Sequence, residues 1–192
     1  MSSEHRLHGS IAGVGFSSGD LVVVGQWNES PIGPFGDVMW AEVDDWRTLF
    51  VATDGAKAFV TAVYEFDSVI GVPALEIVRA PRRLSVSWNG AELEFDLGRA
   101  VPFPPRPAWL TQHIEKPIAK RTMKVETHGV SPTGVQEIYR AEKLRRVTSG
   151  WGSVAGRDLG QIGPPTPACR FGFSEPPPFA SITDVTAVLT DS

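Results

Sequence analysis

The chain has one cysteine, Cys169, among 192 residues, so an intrachain disulfide is excluded. A chain that relies on packing alone suits a reducing compartment. No window approaches the ~20 consecutive apolar residues that a membrane span requires. The start from Met1 to Gly9 carries Glu4, His5, Arg6 and His8 and lacks an apolar signal core. From these absences the protein is expected to be cytoplasmic, free of the membrane, with a flexible segment over residues 1–9. An excess of positive charge is missing too: 18 Lys and Arg against 22 Asp and Glu leave a net charge of −4. That balance gives no electrostatic reason to expect nucleic acid as a partner.

Common chemical motifs are also missing. There is no G-x-x-x-x-G-K-[ST] phosphate loop. Gly9, Gly13, Gly15 and Gly19 do not form a G-x-G-x-x-G that follows a strand and opens a helix. H-E-x-x-H and C-x-x-C are absent, and Gly150-Trp151-Gly152-Ser153 does not supply the G-x-S-x-G elbow of a serine hydrolase. A metal would need His5, His8, His113 and His128 to converge with carboxylates, so no metal and no cofactor are expected. Cys169, between Ala168 and Arg170-Phe171, reads as a small buried hydrophobe.

What the chain does have is hydrophobic content typical of a folded domain, 42%, together with 19 glycines and 16 prolines. Many short strands with many turns fit that mixture, which predicts a single α+β domain, predominantly antiparallel β. Asp20 to Trp27 reads as a buried strand. Ser30 to Gly36, with two prolines and two glycines, reads as an irregular loop. Asp37 to Val43 and Arg47 to Ala52 read as a strand pair turning at Asp44 and Asp45. Asp54 to Tyr64 reads as a helix, because Ala56, Phe59, Val60, Val63 and Tyr64 form one apolar stripe; Thr53 or Asp54 can cap it.

Leu84 to Leu97 reads as a hairpin. Asn89-Gly90 is the preferred pair for a two-residue type I′ turn. Closing that turn sets Trp88 opposite Ala91, Val86 opposite Leu93 and Leu84 opposite Phe95, all on one face. Further along, Pro107 to Ile114 can start a helix that Pro117 ends, and Arg121 to Thr127 reads as a strand. Val135 to Val147 reads as a strand or as a charged helix. Gly150 to Pro167 reads as loop, and Cys169 to Phe173 and Ile182 to Leu189 read as closing strands.

Three stretches carry a family likeness. They are Phe35-Gly36-Asp37-Val38-Met39; Gly55 to Phe59 running on through Tyr64-Glu65-Phe66; and Phe171 to Ser174 leading to Asp184-Val185-Thr186-Ala187. In this order they resemble the acetoacetate decarboxylase family: its aromatic-x-Glu-aliphatic strand, here with Asp for Glu, its helix running into a Lys-Lys corner, and its closing strands. The resemblance implies a β-cone or barrel with one or two short helices around a small pocket. It does not imply that family's reaction, since the decarboxylases form a Schiff base on one lysine of an adjacent pair. The corner here continues Asp67-Ser68-Val69, and no two of Lys57, Lys116, Lys120, Lys124 and Lys143 are adjacent.

The expected function is therefore small-molecule binding, or an enzyme of altered mechanism, with a small organic acid or partly apolar metabolite as ligand. Asp37, Trp40, Tyr64, Phe66 and Glu76 are expected around the pocket. Asp37, Glu76 and His113 are the candidate catalytic groups, and the histidine is suited to acid–base work near neutral pH. The competing expectations are a non-catalytic interaction or scaffold protein, self-associating through β-edges or proline-rich loops, and a lipocalin-like or flavin-binding barrel.

Overall fold

The structure, a computed structural model, describes residues 4–102, 126–131, 133–165, 171 and 177–190. Its strands in chain order are β1 (Glu4–Phe16), β2 (Leu21–Glu29), β3 (Phe35–Ala41), β4 (Arg47–Val51), β5 (Ser68–Gly71), β6 (Glu76–Ala80), β7 (Arg83–Trp88) and β8 (Ala91–Leu97). After these come β9 (Val101–Pro102), β10 (Glu126–Val130), β11 (Gln136–Val154), β12 (Arg157–Asp158), β13 (Ile162–Gly163) and β14 (Ser181–Thr190). One helix, α1 (Asp54–Val63), lies between β4 and β5 among the described residues. The main path runs β5-β4-β3-β2-β1-β14-β11-β8-β7-β6, antiparallel except for the parallel pair β4–β5. That parallel pair needs a crossover connection, which α1 supplies.

The sheet is a curled half-barrel, and β11 makes it curl. Residues 136–146 of this strand pair with β14, and residues 147–154 pair with β8. Register shifts at Ala141/Lys143 and Val147/Ser149 bend it on the way. The β6 end of the curl is tied back to β2 and β14: Gln26 Nε2 donates to the Ile77 carbonyl at 3.1 Å, and Arg79 pairs with Asp184.

The interior of the curl is filled with side chains. Val14, Val22, Val24, Val38, Trp40 and Phe50 from the first half pack on Leu84, Val86, Trp88, Leu93 and Phe95 of the hairpin. The Phe50 and Trp88 rings lie 4.7 Å apart. The hairpin register is the one its turn residues require, with Trp88 opposite Ala91, Val86 opposite Leu93 and Leu84 opposite Phe95. Gly90, at φ 96, takes the left-handed conformation of that turn.

On the other face of the sheet, α1 buries Ala56, Val60 and Val63 against Met39, Leu49 and Val51 and against Leu7, Trp27 and Ala187. Its N-terminus is capped by Thr53, whose hydroxyl accepts from the Ala56 N–H at 3.2 Å. Its C-terminus is closed from outside the helix. The Thr133 hydroxyl donates to the Ala62 and Val63 carbonyls at 2.7 and 3.0 Å. Thr133 lies in the turn between β10 and β11, so satisfying the helix end also docks β11 beside it.

Several sequence expectations are corrected. Residues 4–9 are part of β1 rather than a flexible segment. Residues 150–154, expected as loop, complete β11; of the two readings of Val135 to Val147, the strand is the one found, from Gln136 onward. The ends of the chain's β5 and β6 were not expected as strands. The expected helix at Pro107 to Ile114 lies outside the described residues, as do residues 121–125 of the Arg121 to Thr127 strand and most of the strand at Cys169 to Phe173.

Thr133→Val keeps the shape of the side chain and removes its proton. The variant is expected to lose about 1 kcal/mol of stability, the net worth of a typical intramolecular hydrogen bond. Urea denaturation followed by circular dichroism measures this, and an unchanged midpoint would show that Thr133 does not hold the helix end.

Candidate functional site

Beside α1, the outer face of the sheet carries a cluster of carboxyl and phenol groups. Tyr64, at the helix C-cap, is in extended backbone that aims its ring toward β11. Glu137 and Tyr139 alternate along β11, so both face the same side, opposite Leu189 and Ala187 of β14. The Tyr64 hydroxyl donates to Glu137 Oε2 at 2.8 Å and lies 2.6 Å from the Tyr139 hydroxyl. Either phenol can be the donor in the second bond. Both phenols act on Glu137 as hydrogen-bond donors. These are the only two tyrosines in the chain.

Burial dominates the electrostatics. It raises the Glu137 carboxyl above its ordinary value, and the two phenol donors pull it partly back. Burial also pushes both phenols well above 10, so both remain proton donors; Tyr139 and Glu137 reinforce the shift at Tyr64, and Glu137 reinforces it at Tyr139, where the Tyr64 bond opposes it. Glu137 is 1% exposed, and its Oε1 has no hydrogen-bond partner.

Asp37 stands on the same face, near enough for its charge to raise Tyr139 further. Its neighbour across the ladder is Gly25. A side chain there would not fit: a Cβ at Gly25 would lie 2.4 Å from Asp37 Oδ1 and 2.9 Å from Trp27 Nε1. In that space the Trp27 indole N–H donates to Asp37 Oδ1 at 3.1 Å. Asp37 Oδ2 has no partner. Burial lifts this carboxyl from 3.8 to about 6, against the opposing pull of the Trp27 bond. The half-buried rings of Phe35, Phe59, Tyr64 and Tyr139 pack around the cluster.

Of the residues singled out from sequence, Asp37 and Tyr64 come together here. Phe66 packs at 6.0 Å from Phe171 in the neighbouring apolar cluster under α1. Trp40 does not join them. It faces the interior of the curl, where its indole N–H donates to Asp20 Oδ1 at 3.2 Å. Glu76 is exposed on β6. His113 lies outside the described residues. Glu137 and Tyr139 escaped sequence reading, although a strand alternation that sets the second tyrosine beside a glutamate two residues away was there to be found. A separate open depression of about 260 Å³ at the N-terminus of α1, bounded by Val51, Ala52, Thr53, Asp54, Lys57 and Gly71, involves none of these residues.

The position of Asp37 fixes the sign of a pH effect. The folded protein holds this proton more tightly than an unfolded chain does, so the group contributes stability below about pH 4 that is lost as the pH rises through about 6. The difference between 3.8 and about 6 corresponds to roughly 3 kcal/mol. Glu137, also raised, acts in the same direction. Asp37→Asn keeps an acceptor for Trp27 and removes the titration. Its stability, from urea midpoints between about pH 4 and pH 7, is expected to fall less steeply with pH than that of the parent protein. Parallel curves would show that Asp37 titrates normally.

No family model, curated protein or solved structure matches the chain significantly, so the likeness to the acetoacetate decarboxylase family rests on the three sequence stretches alone.

Proposed function

We propose that this protein binds a small, partly apolar metabolite at the carboxyl–phenol cluster beside α1. The observation that carries this reading is the Glu137 carboxylate, buried with one oxygen bonded to Tyr64 and the other without a partner. A buried polar atom in that state costs about 1–3 kcal/mol, and a ligand that bonds to it recovers the cost. The aromatic rim suits an apolar body, with a few polar groups to fix orientation. Of the two ligand classes suggested by the sequence, the organic acid is disfavoured, because its charge would meet those of Asp37 and Glu137.

An acetoacetate decarboxylase-like cone is the architecture that goes with this reading. It is supported by the convergence of Asp37 and Tyr64, which two separate stretches of the resemblance supply. The family's Schiff-base chemistry does not go with it. Ser68 and Val69, at the positions of the lysine pair, lie in β5, and the described lysines Lys57 and Lys143 are exposed. An enzyme of altered mechanism on this scaffold would move protons along Tyr139, Tyr64 and Glu137 rather than through an amine.

A thermal-shift screen of small metabolites on the full chain tests the binding reading. Hits are expected to stabilise the parent protein and to lose that effect in Tyr139→Phe and Glu137→Gln. Hits indifferent to both substitutions would move the site elsewhere, and a screen without hits would count against binding altogether. Incubation with a β-keto acid and borohydride is expected to leave every lysine unmodified. A reduced lysine adduct would restore the Schiff-base mechanism.

A further inference from the structure

The molecule contains two buried aspartates, each held by a tryptophan, and they differ in one respect. Asp20 is 1% exposed; it accepts from Trp40 Nε1 at 3.2 Å and is paired with Arg157. The Arg157 guanidinium also lies 5.1 Å from the centroid of the Trp40 ring and bonds to Glu42 at 3.1 Å. Carboxylate, indole and cation thus form one unit with a second carboxylate bonded to the cation, although Asp20 Oδ2, like Asp37 Oδ2, has no hydrogen-bond partner. Asp37 is likewise 1% exposed and accepts from Trp27 Nε1 at 3.1 Å, but no Lys, Arg or His among the described residues pairs with it. Glu137, the second carboxylate on that face, has phenol donors and no cation.

We propose, resting on the binding site argued above, that the group recognised there is an organic cation, an ammonium or guanidinium on a partly apolar body, taking the place that Arg157 fills in the Asp20 unit. Its N–H groups would bond to Asp37 Oδ2 and Glu137 Oε1, the oxygens without partners on that face. Two further features agree with a cation. Both phenols act on Glu137 as donors and so reinforce it as an acceptor. The rings of Trp27, Phe35, Phe59 and Tyr64 pack around the cluster, and aromatic rings attract positive charge at their faces.

Isothermal titration of the full chain at neutral pH with 2-phenylethylammonium, propylammonium and agmatine tests this, with 2-phenylethanol and phenylacetate as the neutral and anionic counterparts. At least one of the cations is expected to bind. It should bind at least tenfold more tightly than the neutral and anionic probes, and lose about tenfold or more in Glu137→Gln and, separately, in Asp37→Asn. Both substitutions replace a buried acid by its neutral isostere, and near-ultraviolet circular dichroism confirms that each variant folds. Binding of phenylethanol or phenylacetate as tight as that of the cations, and equally sensitive to Glu137→Gln, would overturn the cation while leaving the binding site standing. Cation binding unaffected by both substitutions would overturn the assignment to this cluster. Affinity weaker than about 10 mM for every cation would overturn the proposal.

Discussion

One strand holds the two halves of this protein together. β11 is 19 residues long and pairs first with β14 and then with β8, so neither half of the sheet is complete without it. The curl, the packed interior and the outer cluster all depend on that shared strand. Its second half needs glycines for close packing: a Cβ at Gly150 would lie 2.4 Å from the Glu94 carbonyl oxygen, and one at Gly152 2.5 Å from a Leu93 methyl. Its first half carries Glu137 and Tyr139. A register shift bends each half, and one element serves packing at one end and polar chemistry at the other.

The two faces of the sheet handle charge differently. Inside the curl, Asp20 is answered by an arginine from the hairpin of β11 and β12, whose aliphatic stem and planar head cover Trp40 as well. This closes one end of the core. On the outer face, among the described residues, Asp37 is answered by an indole and Glu137 by phenols, all neutral donors. Neutral hydrogen bonds offset less of the cost of burying a carboxylate than a paired cation does. Burial therefore prevails over hydrogen bonding at both groups, and both carboxyls are raised. Stability is being forgone at the outer cluster, which is a common property of sites that hold something other than their own side chains.

The parts of the fold legible in the sequence are those in which local chemistry and long-range packing agree. Asn89-Gly90 sets a register that buries six hydrophobic side chains of β7 and β8 on one face. The apolar stripe of α1 is the stripe that packs. β1 was not legible, for a physical reason. Its start is polar, and Gly9 and Gly15 weaken any strand reading, yet both are glycine because other backbone lies where a Cβ would go, 2.2 Å from the Gln26 and Pro164 carbonyl oxygens respectively. Half of the site was hidden by the same kind of ambiguity. On a helix, Glu137 and Tyr139 would point about 200° apart; only in a strand do they share a face. Leaving residues 135–147 open between strand and helix therefore left the pair invisible, although Asp37 and Tyr64 could be picked out.

The two phenol donors constrain what the cluster presents. Had Glu137 been alone, either protonation state would have served, and a ligand could have offered a donor or an acceptor. With both phenols held far above neutral pH and both donating to Glu137, the glutamate can only accept from them. That keeps Glu137 as an acceptor against the burial that would protonate it, since each phenol bond favours the ionised form. Its remaining oxygen then has one use left to it, to receive a proton donor. The tyrosines thus shape the site without having to touch a ligand: they decide which hydrogen-bonding sense the glutamate presents.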